Sequence, residues 1–220
     1  MAVPVVKSDA GVTVLGGGNS TPAMLSQALT RAKTLVCADG AAQIALEWGH
    51  VPDAVVGDFD SLDNKARDLI PDARFYHVPE QDSTDFEKCL TRIDAPYVIG
   101  VGFMGARVDH ELAVLGAMVR HADKRIVLLG SHDICVHLVG AVTLNLPIGC
   151  RVSLFPMAPV TGRSTGLKWP IGGIDFAPDG RGGTSNEATE TQVRIEMDGA
   201  GMLLFLPPEA LGALLAGLGI

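Results

Sequence analysis

Two short carboxylate clusters hold the densest chemistry in the chain, Gly57-Asp58-Phe59-Asp60-Ser61 and Pro79-Glu80-Gln81-Asp82-Ser83-Thr84-Asp85. Asp58 and Asp60 flank Phe59, and Gly57 frees the backbone for a sharp turn, so two carboxylates leave one short segment together. Hard divalent cations take oxygen ligands of this kind. Asp85 adds a third. The spacing of Thr84 and Glu87 predicts a capping box, which puts Asp85 in the first turn of a helix, where the macrodipole favours its ionised form. Asp58, Asp60 and Asp85 together are a candidate Mg²⁺ site, against the plainer reading that each caps a turn or a helix, as Asp commonly does. Between residues 39 and 85 the chain carries eleven carboxylates against three basic side chains. Such a concentration repels itself unless solvent or cations offset it.

Magnesium held by a few carboxylates usually brings substrate phosphates with it. Gly16-Gly17-Gly18-Asn19-Ser20 is the candidate cradle. Its glycines let backbone N–H groups approach a phosphate, and Ser20-Thr21-Pro22 reads as a helix start, itself an anion site. A tight strand-to-helix turn accounts for the same glycines. The G-x-x-x-x-G-K-[ST] signature is absent, which excludes a P-loop enzyme, and the dinucleotide fingerprint is incomplete. Arg107 and Asp109, in Gly105-Ala106-Arg107-Val108-Asp109-His110, add one cation and one more carboxylate. The guanidinium fork suits a phosphate, or else pairs with Asp109 or Asp82 to tie loops together. Lys88, one helical turn after Asp85, is placed equally for a salt bridge to Asp85 and for a phosphate contact. His110 is expected to cap or pack, and Trp48 to belong to the core.

The elements that must position these groups follow from periodicity. Short β-branched runs at Val12 to Leu15, Thr34 to Cys37, Ala54 to Val56, Phe75 to Val78, Tyr97 to Val101 and Arg125 to Leu129 alternate with helical patterns. The helices are expected at Pro22 to Lys33, Ala41 to Trp48, Asp85 to Ile93 and His110 to His121. This alternation predicts βα units and a mostly parallel sheet. Each polar cluster, with Ala38-Asp39-Gly40, follows a predicted strand, so five loops should converge beyond the carboxyl ends of the sheet, where such folds bind ligands.

Past residue 130 the texture changes. Ile134 to Val139, Val142 to Leu146, Arg151 to Phe155, Gln192 to Met197 and Met202 to Leu206 read as strands between Gly/Pro-rich turns, with a short helix from Glu209 onwards. The expected organisation is an α/β domain over 1–130 and a smaller all-β domain over 131–220. The segment 162–183, rich in Gly and Pro and containing Trp169, is long for a plain connection and is expected to be a mobile binding loop or a partner contact.

Composition bounds the function. With 220 residues, 47% hydrophobic and 19% charged, the chain has enough apolar surface to fold. A net charge of −8 argues against nucleic acid or an anionic membrane as the main partner, since both need basic patches. The first residues lack a basic segment followed by an apolar one, and no apolar run spans a bilayer, so the expected location is the cytoplasm. Four scattered cysteines without a CxxC pair read as buried free thiols, with a disulfide framework or zinc site as the alternative.

In order and spacing, ADGAAQIALEWGHVPDAVVGDFDSLD, EQDSTDFEKCL, GFMGARVDHELA, GLKWPIGG and GTSNE resemble the thiamine pyrophosphokinase family, over residues 12 to 206. The resemblance implies an α/β domain followed by a β-sandwich, and a homodimer with sites shared between subunits. It implies transfer of the pyrophosphoryl group of ATP to the hydroxyl of thiamine, giving thiamine diphosphate and AMP. By the same resemblance the metal acids are Asp58, Asp60 and Asp85. Asp39, Gln81, Arg107 and Asp109 fall by that resemblance on positions lining the nucleotide and pyrophosphoryl region, Arg107 and Asp109 being candidate catalytic residues, and Gly17, Gly18, Asn19, Asp82, Thr84 and Lys88 complete the candidate ATP- and pyrophosphoryl-binding set. Asp109 or Asp85 is the candidate general base, if one is used. Trp169, donated by the partner subunit, would stack on the pyrimidine of thiamine, and Thr184, Ser185 and Asn186 would hydrogen-bond it. An aromatic face suits that flat, partly cationic ligand. The alternatives are a pyrophosphokinase for another heterocyclic alcohol, such as a hydroxymethylpterin, and a non-catalytic thiamine- or nucleotide-binding module. Ala41, Gln43, Ala106 and Gly183 depart from the family pattern and put affinity in question more than reaction type.

Overall fold

The structure is a computed structural model that describes residues 3–220. In chain order the strands are β1 (Val6–Lys7), β2 (Val12–Leu15), β3 (Thr34–Ala38), β4 (Ala54–Gly57), β5 (Phe75–His77), β6 (Ile93–Asp94), β7 (Val98–Val101), β8 (Ile126–Leu129), β9 (Ile134–Leu138), β10 (Ala141–Asn145), β11 (Arg151–Pro156), β12 (Gly162–Thr165), β13 (Gly183–Glu187), β14 (Gln192–Met197) and β15 (Met202–Leu206). The helices are α1 (Pro22–Leu29), α2 (Ala41–Glu47), α3 (Asn64–Leu69), α4 (Asp85–Leu90), α5 (Val108–Arg120) and α6 (Leu211–Leu218). The chain divides into two compact units. One runs to Ala117 and includes Ile126–Ser131; the other comprises Met118–Arg125 and His132–Ile220.

In the first unit β8-β7-β2-β3-β4-β5 form a sheet in that order, every neighbouring pair parallel. Strands β2, β4, β7 and β8 are buried at every position, as expected where both faces of a parallel sheet are covered. The chain steps outward from β2 to β5 and then returns on the other side of β2 with β7. Strand order therefore reverses between β2 and β7, which is where open α/β sheets leave a crevice for ligands.

Local chemistry sets the helix starts. Thr21 caps α1, its Oγ1 accepting from Met24 N at 3.2 Å, with Pro22 at the first helical position. Helix α1 ends at Leu29, earlier than Lys33. Helix α4 likewise stops at Leu90 rather than Ile93, because Ile93 and Asp94 pair with Val6 and Lys7 as strand β6. The sequence gives little warning of α3, which is six residues long and depends on Asp63, whose side chain accepts from Ala66 N at 2.7 Å.

In the second unit, β10-β14-β12 and β13-β11-β15-β9 pair antiparallel in those orders. Burial alternates along β10 and β14, the mark of a sheet with one covered face. Helix α6 lies on β10 through Gly217, where an added Cβ would sit 2.6 Å from the Thr143 carbonyl oxygen. The segment 162–183 is not the loose loop its composition suggests. Its first four residues are β12, Gly183 opens β13, and bridges join Val160 to Phe176 and Leu167 to Ala188. Ile171 and Phe176 are buried, so packing against apolar neighbours overrides the Gly/Pro content.

Candidate active site

A cavity of about 730 Å³ in the first unit is lined from all five polar loops. Gly16, Gly17 and Gly18 follow β2, Asp39 follows β3, Asp58 and Asp60 follow β4, Gln81, Ser83, Thr84 and Asp85 follow β5, and Ala106 and Arg107 follow β7. Carboxylate oxygens of Asp39, Asp58 and Asp60 lie within 4.8 Å of one another. Asp39 is buried, Asp58 half-buried and Asp60 exposed. Asp85 lines the cavity but stands outside this cluster, its Oδ1 engaged by Lys88 Nζ at 3.1 Å. Three acids do come together, with Asp39 where Asp85 was expected.

Each of the two loops that present them holds one residue in an uncommon backbone conformation. Phe59 has φ +66° and Asp39 φ +45°, a region that costs a non-glycine residue about 1–2 kcal/mol. Asp39 Oδ1 accepts from the Phe59 N–H at 2.9 Å, Arg67 Nη2 donates to the Phe59 carbonyl at 3.2 Å, and Gln43 Nε2 donates to the Ser61 carbonyl at 2.9 Å. The Phe59 ring meets Phe75 edge-on at 5.5 Å and His77 at 5.6 Å between centroids. At Gly57 a Cβ would fall 2.8 Å from Asp39 Cβ, so glycine there is a requirement of close approach.

Gln81 Nε2 donates to Asp58 Oδ2 at 2.8 Å, and this bond is the main reason the Asp58 carboxyl is held below its ordinary range; burial opposes it and Lys88 adds to it. The Lys88 ammonium is buried, 3.1 Å from Asp85 and 3.7 Å from Asp58. Burial alone would lower its pKa, but Asp85, Asp58 and Glu80 together raise it, so the side chain stays a cation. Lys88 thus makes the salt bridge and faces the cavity at once.

The glycine triplet packs more than it opens. Gly16 and Gly18 donate their N–H groups to the Val101 and Gly102 carbonyls at 2.8 and 2.9 Å. A Cβ at Gly18 would sit 2.6 Å from the Gly102 oxygen, and one at Gly102 2.4 Å from the Gly16 oxygen. These residues let the β2 and β7 loops touch at the point of strand reversal. Arg107 is exposed and pairs with Asp109 through two bonds, Nη2 to Oδ2 at 2.7 Å and Nε to Oδ1 at 3.2 Å, which realises the ion-pair alternative with Asp109 rather than Asp82. That pair holds the Asp109 carboxyl below its usual range. Asn19, Asp82 and Asp109 do not line the cavity; Asp82 instead donates its backbone N–H to Glu80. Thr84 caps α4, its Oγ1 accepting from Glu87 N at 3.4 Å, and its residue lines the cavity. His110 is exposed at the rim and Trp48 is half-buried at the end of α2.

In the second unit Trp169 is 55% exposed, with Lys168 Nζ 5.0 Å from its ring centroid. Thr184 and Ser185 are exposed on β13, and Ser185 has φ +61° at a bulge, its N–H bonded to Ser153 Oγ at 3.0 Å. Asn186 is buried. Its amide bonds the backbone of Trp169 at both ends, so the side chain expected to meet a ligand is committed to the protein. At Gly183 a Cβ would lie 3.2 Å from Leu154 Cβ and 3.3 Å from the Phe176 ring, which leaves little room for a side chain there.

A parallel α/β unit with an all-oxygen acid cluster, a buried lysine and an arginine at its strand reversal, followed by an antiparallel β unit, has the parts of a transferase that handles phosphates. Two family models match the chain. Residues 25–129 match "Thiamin pyrophosphokinase, catalytic domain" and residues 142–201 match "Thiamin pyrophosphokinase, vitamin B1 binding domain". The chain belongs to the thiamin pyrophosphokinase family. Among curated relatives, thiamine pyrophosphokinase 1 of Oryza sativa subsp. japonica is 27% identical over 207 residues, covering 76% of each chain. Thiamin pyrophosphokinase 1 of Caenorhabditis elegans is 27% identical over 186 residues, covering 74% of each. The fold is shared with thiamin pyrophosphokinase from Geobacillus thermodenitrificans, at TM-score 0.76 and 24% identity, over 93% of this chain and 100% of that one. It is shared also with the Candida albicans enzyme, at TM-score 0.78 and 16% identity, over 93% of each.

Proposed function

We propose that this chain transfers the pyrophosphoryl group of ATP to the hydroxyl of thiamine, giving thiamine diphosphate and AMP. The observation that carries this reading is the convergence of Asp39, Asp58 and Asp60 with Lys88 and Arg107 around one cavity at the strand reversal. Carboxylate oxygens suit Mg²⁺, which keeps some of its waters and binds protein and substrate phosphates together. Asp58 and Asp60, with Asp39 or Asp85, would hold it, and bound there it would neutralise charge on the phosphates being transferred. The hydroxymethylpterin alternative and the non-catalytic module gain no support from either family model.

The chain's own residues supply positioning and charge. Lys88 keeps a buried cation beside Asp58 and Asp85. Gln81 holds Asp58 ionised. Arg107, exposed and paired only across two residues, can exchange Asp109 for a phosphate with little cost, because an exposed ion pair is weakly held. In that paired state Asp109 is a poor proton acceptor.

On this reading residues 1–130 are the ATP- and Mg²⁺-binding domain and residues 131–220 the thiamine-binding and dimerisation domain. The active form is a homodimer in which Trp169 of one copy stacks on the pyrimidine bound by the other; the exposure of so large an apolar ring supports this. A cytoplasmic location is part of the proposal; among the described residues no helix is long and apolar enough to cross a membrane.

The test is product analysis by chromatography after incubation with ATP, Mg²⁺ and thiamine. Equimolar AMP and thiamine diphosphate, both dependent on thiamine, are expected, as is loss of Mg²⁺-dependent turnover in Asp58→Ala. ADP with thiamine monophosphate would refute the pyrophosphoryl transfer.

A further inference from the structure

Segment 166–169 runs antiparallel to 186–189. Thr189 N–H donates to the Gly166 carbonyl at 2.8 Å, Lys168 N–H donates to the Glu187 carbonyl at 2.9 Å, and Leu167 bridges Ala188. At Trp169 the ladder changes character, because the next partner is a side chain. Asn186 Nδ2 donates to the Trp169 carbonyl at 2.7 Å, and its Oδ1 accepts from the Trp169 N–H at 3.2 Å. The amide thus takes the place of a backbone pair. Oδ1 accepts a second bond, from the Glu187 N–H at 2.8 Å, so both acceptor positions of the amide are used. The two N–H donors on one oxygen also fix which way round the amide lies.

The reason a side chain is needed lies one residue earlier. Ser185 sits at φ +61° where the pairing of β13 with β11 shifts register, and its N–H turns to Ser153 Oγ. The bulge takes the β13 backbone out of line for further pairing with segment 166–169. Asn186, buried to 5% exposure, spans the gap.

We propose that Asn186 is a positioning residue that fixes the backbone of Trp169, and that it makes no contact with the ligand. Recognition of the pyrimidine is then left to the Trp169 ring and to the exposed Thr184 and Ser185. This rests on the reading above in which Trp169 stacks on thiamine. A buried two-point hydrogen bond to the Trp169 backbone fixes the point from which the ring projects before binding, which lowers the ordering cost of the complex.

The test uses the full chain carrying Trp48→Phe, which leaves Trp169 as its single tryptophan. Asn186→Ala removes both bonds to Trp169; Asn186→Asp keeps an acceptor for the N–H but replaces the donor with a carboxylate oxygen against the Trp169 carbonyl, and gives a second, independent way of breaking the donor bond. Time-resolved fluorescence anisotropy and acrylamide quenching report the ring's freedom without any ligand; in either variant the anisotropy is expected to fall and the quenching to rise, and neither should change in Thr184→Ala. In steady-state assays of the same variants without Trp48→Phe, KM for thiamine should rise roughly three- to tenfold, with kcat and KM for ATP little changed. The thiamine effect should vanish when Trp169→Ala is already present. Unchanged anisotropy in Asn186→Asp overturns the proposal. So does an Asn186→Ala penalty that persists undiminished beside Trp169→Ala, since that marks direct contact with thiamine. If Trp169→Ala alone leaves KM for thiamine unaltered while the Asn186 variants still free the ring, the stacking reading fails and the positioning bond stands.

Discussion

Asp39 does two jobs that substitution can separate. Its Oδ1 holds the Phe59 N–H at 2.9 Å, and its charge joins the cluster with Asp58 and Asp60. Asp39→Asn keeps an acceptor oxygen and removes the charge, whereas Asp39→Ala removes both. A hydrogen bond to a charged group contributes about 1.5–3 kcal/mol, and a neutral one about 0.5–1.5 kcal/mol. Losing a carboxylate also relieves repulsion in the metal-free cluster, and that relief is common to both variants. Asp39→Ala should therefore be less stable than Asp39→Asn by about 1 kcal/mol, or roughly 2–4 °C in melting temperature for a chain of this size. Both variants should lose Mg²⁺-dependent turnover, and stabilisation of the fold by added Mg²⁺ should shrink in both. Thermal melts with and without Mg²⁺, beside the product assay, read each effect. Equal melting temperatures for the two variants would refute the positioning bond, and full Mg²⁺-dependent activity in Asp39→Asn would remove Asp39 from the cation site.

Gly57→Ala places a methyl 2.8 Å from Asp39 Cβ; overpacking of this kind costs about 1–3 kcal/mol, and differential scanning calorimetry should show it together with weakened turnover. Lys88→Met removes the buried cation beside Asp58 and Asp85, so stability at pH 7 should fall and be partly restored by Mg²⁺, as urea titrations with and without the ion would show. His137 accepts from the Gly201 N–H at 2.8 Å through Nε2, and burial lowers its pKa against a smaller opposing contribution from the Met118 backbone. Its neutral form is the folded form, so stability is full above the unfolded value near 6.5 and declines as pH falls toward the lowered folded value. His137→Gln should flatten that decline in denaturant titrations between pH 7 and 5; an unchanged slope would assign it to other groups.

Much of the first unit could be read in the sequence because its signals are local. Val12 to Leu15, Ala54 to Gly57 and Ile126 to Leu129 are continuous apolar runs, and a parallel sheet buried on both faces requires them. Strands β14 and β15 fell where alternation and apolar density put them. Where a partner distant in sequence decides, the local pattern misleads. The end of α4 depends on β1, about 85 residues earlier, and the order of segment 162–183 depends on bridges to Val160 and Ala188.

The candidate site divides the same way. Sequence alone determined that carboxylates, glycines and an arginine cluster after strands, and hence that one rim would carry them, because a βα repeat sends every such loop to the same side of the sheet. Only the tertiary structure decided which carboxylates meet. Asp39 and Asp60 lie twenty-one positions apart in sequence and join through neighbouring strands β3 and β4, while Asp85, on its own helix, turns to Lys88. It also decided that Asn186 faces Trp169 and not open solvent. Spacing along a chain records residue type and local geometry; which polar groups end up satisfying one another is set by packing, because a buried amide or carboxylate must take the partner that the fold brings within reach.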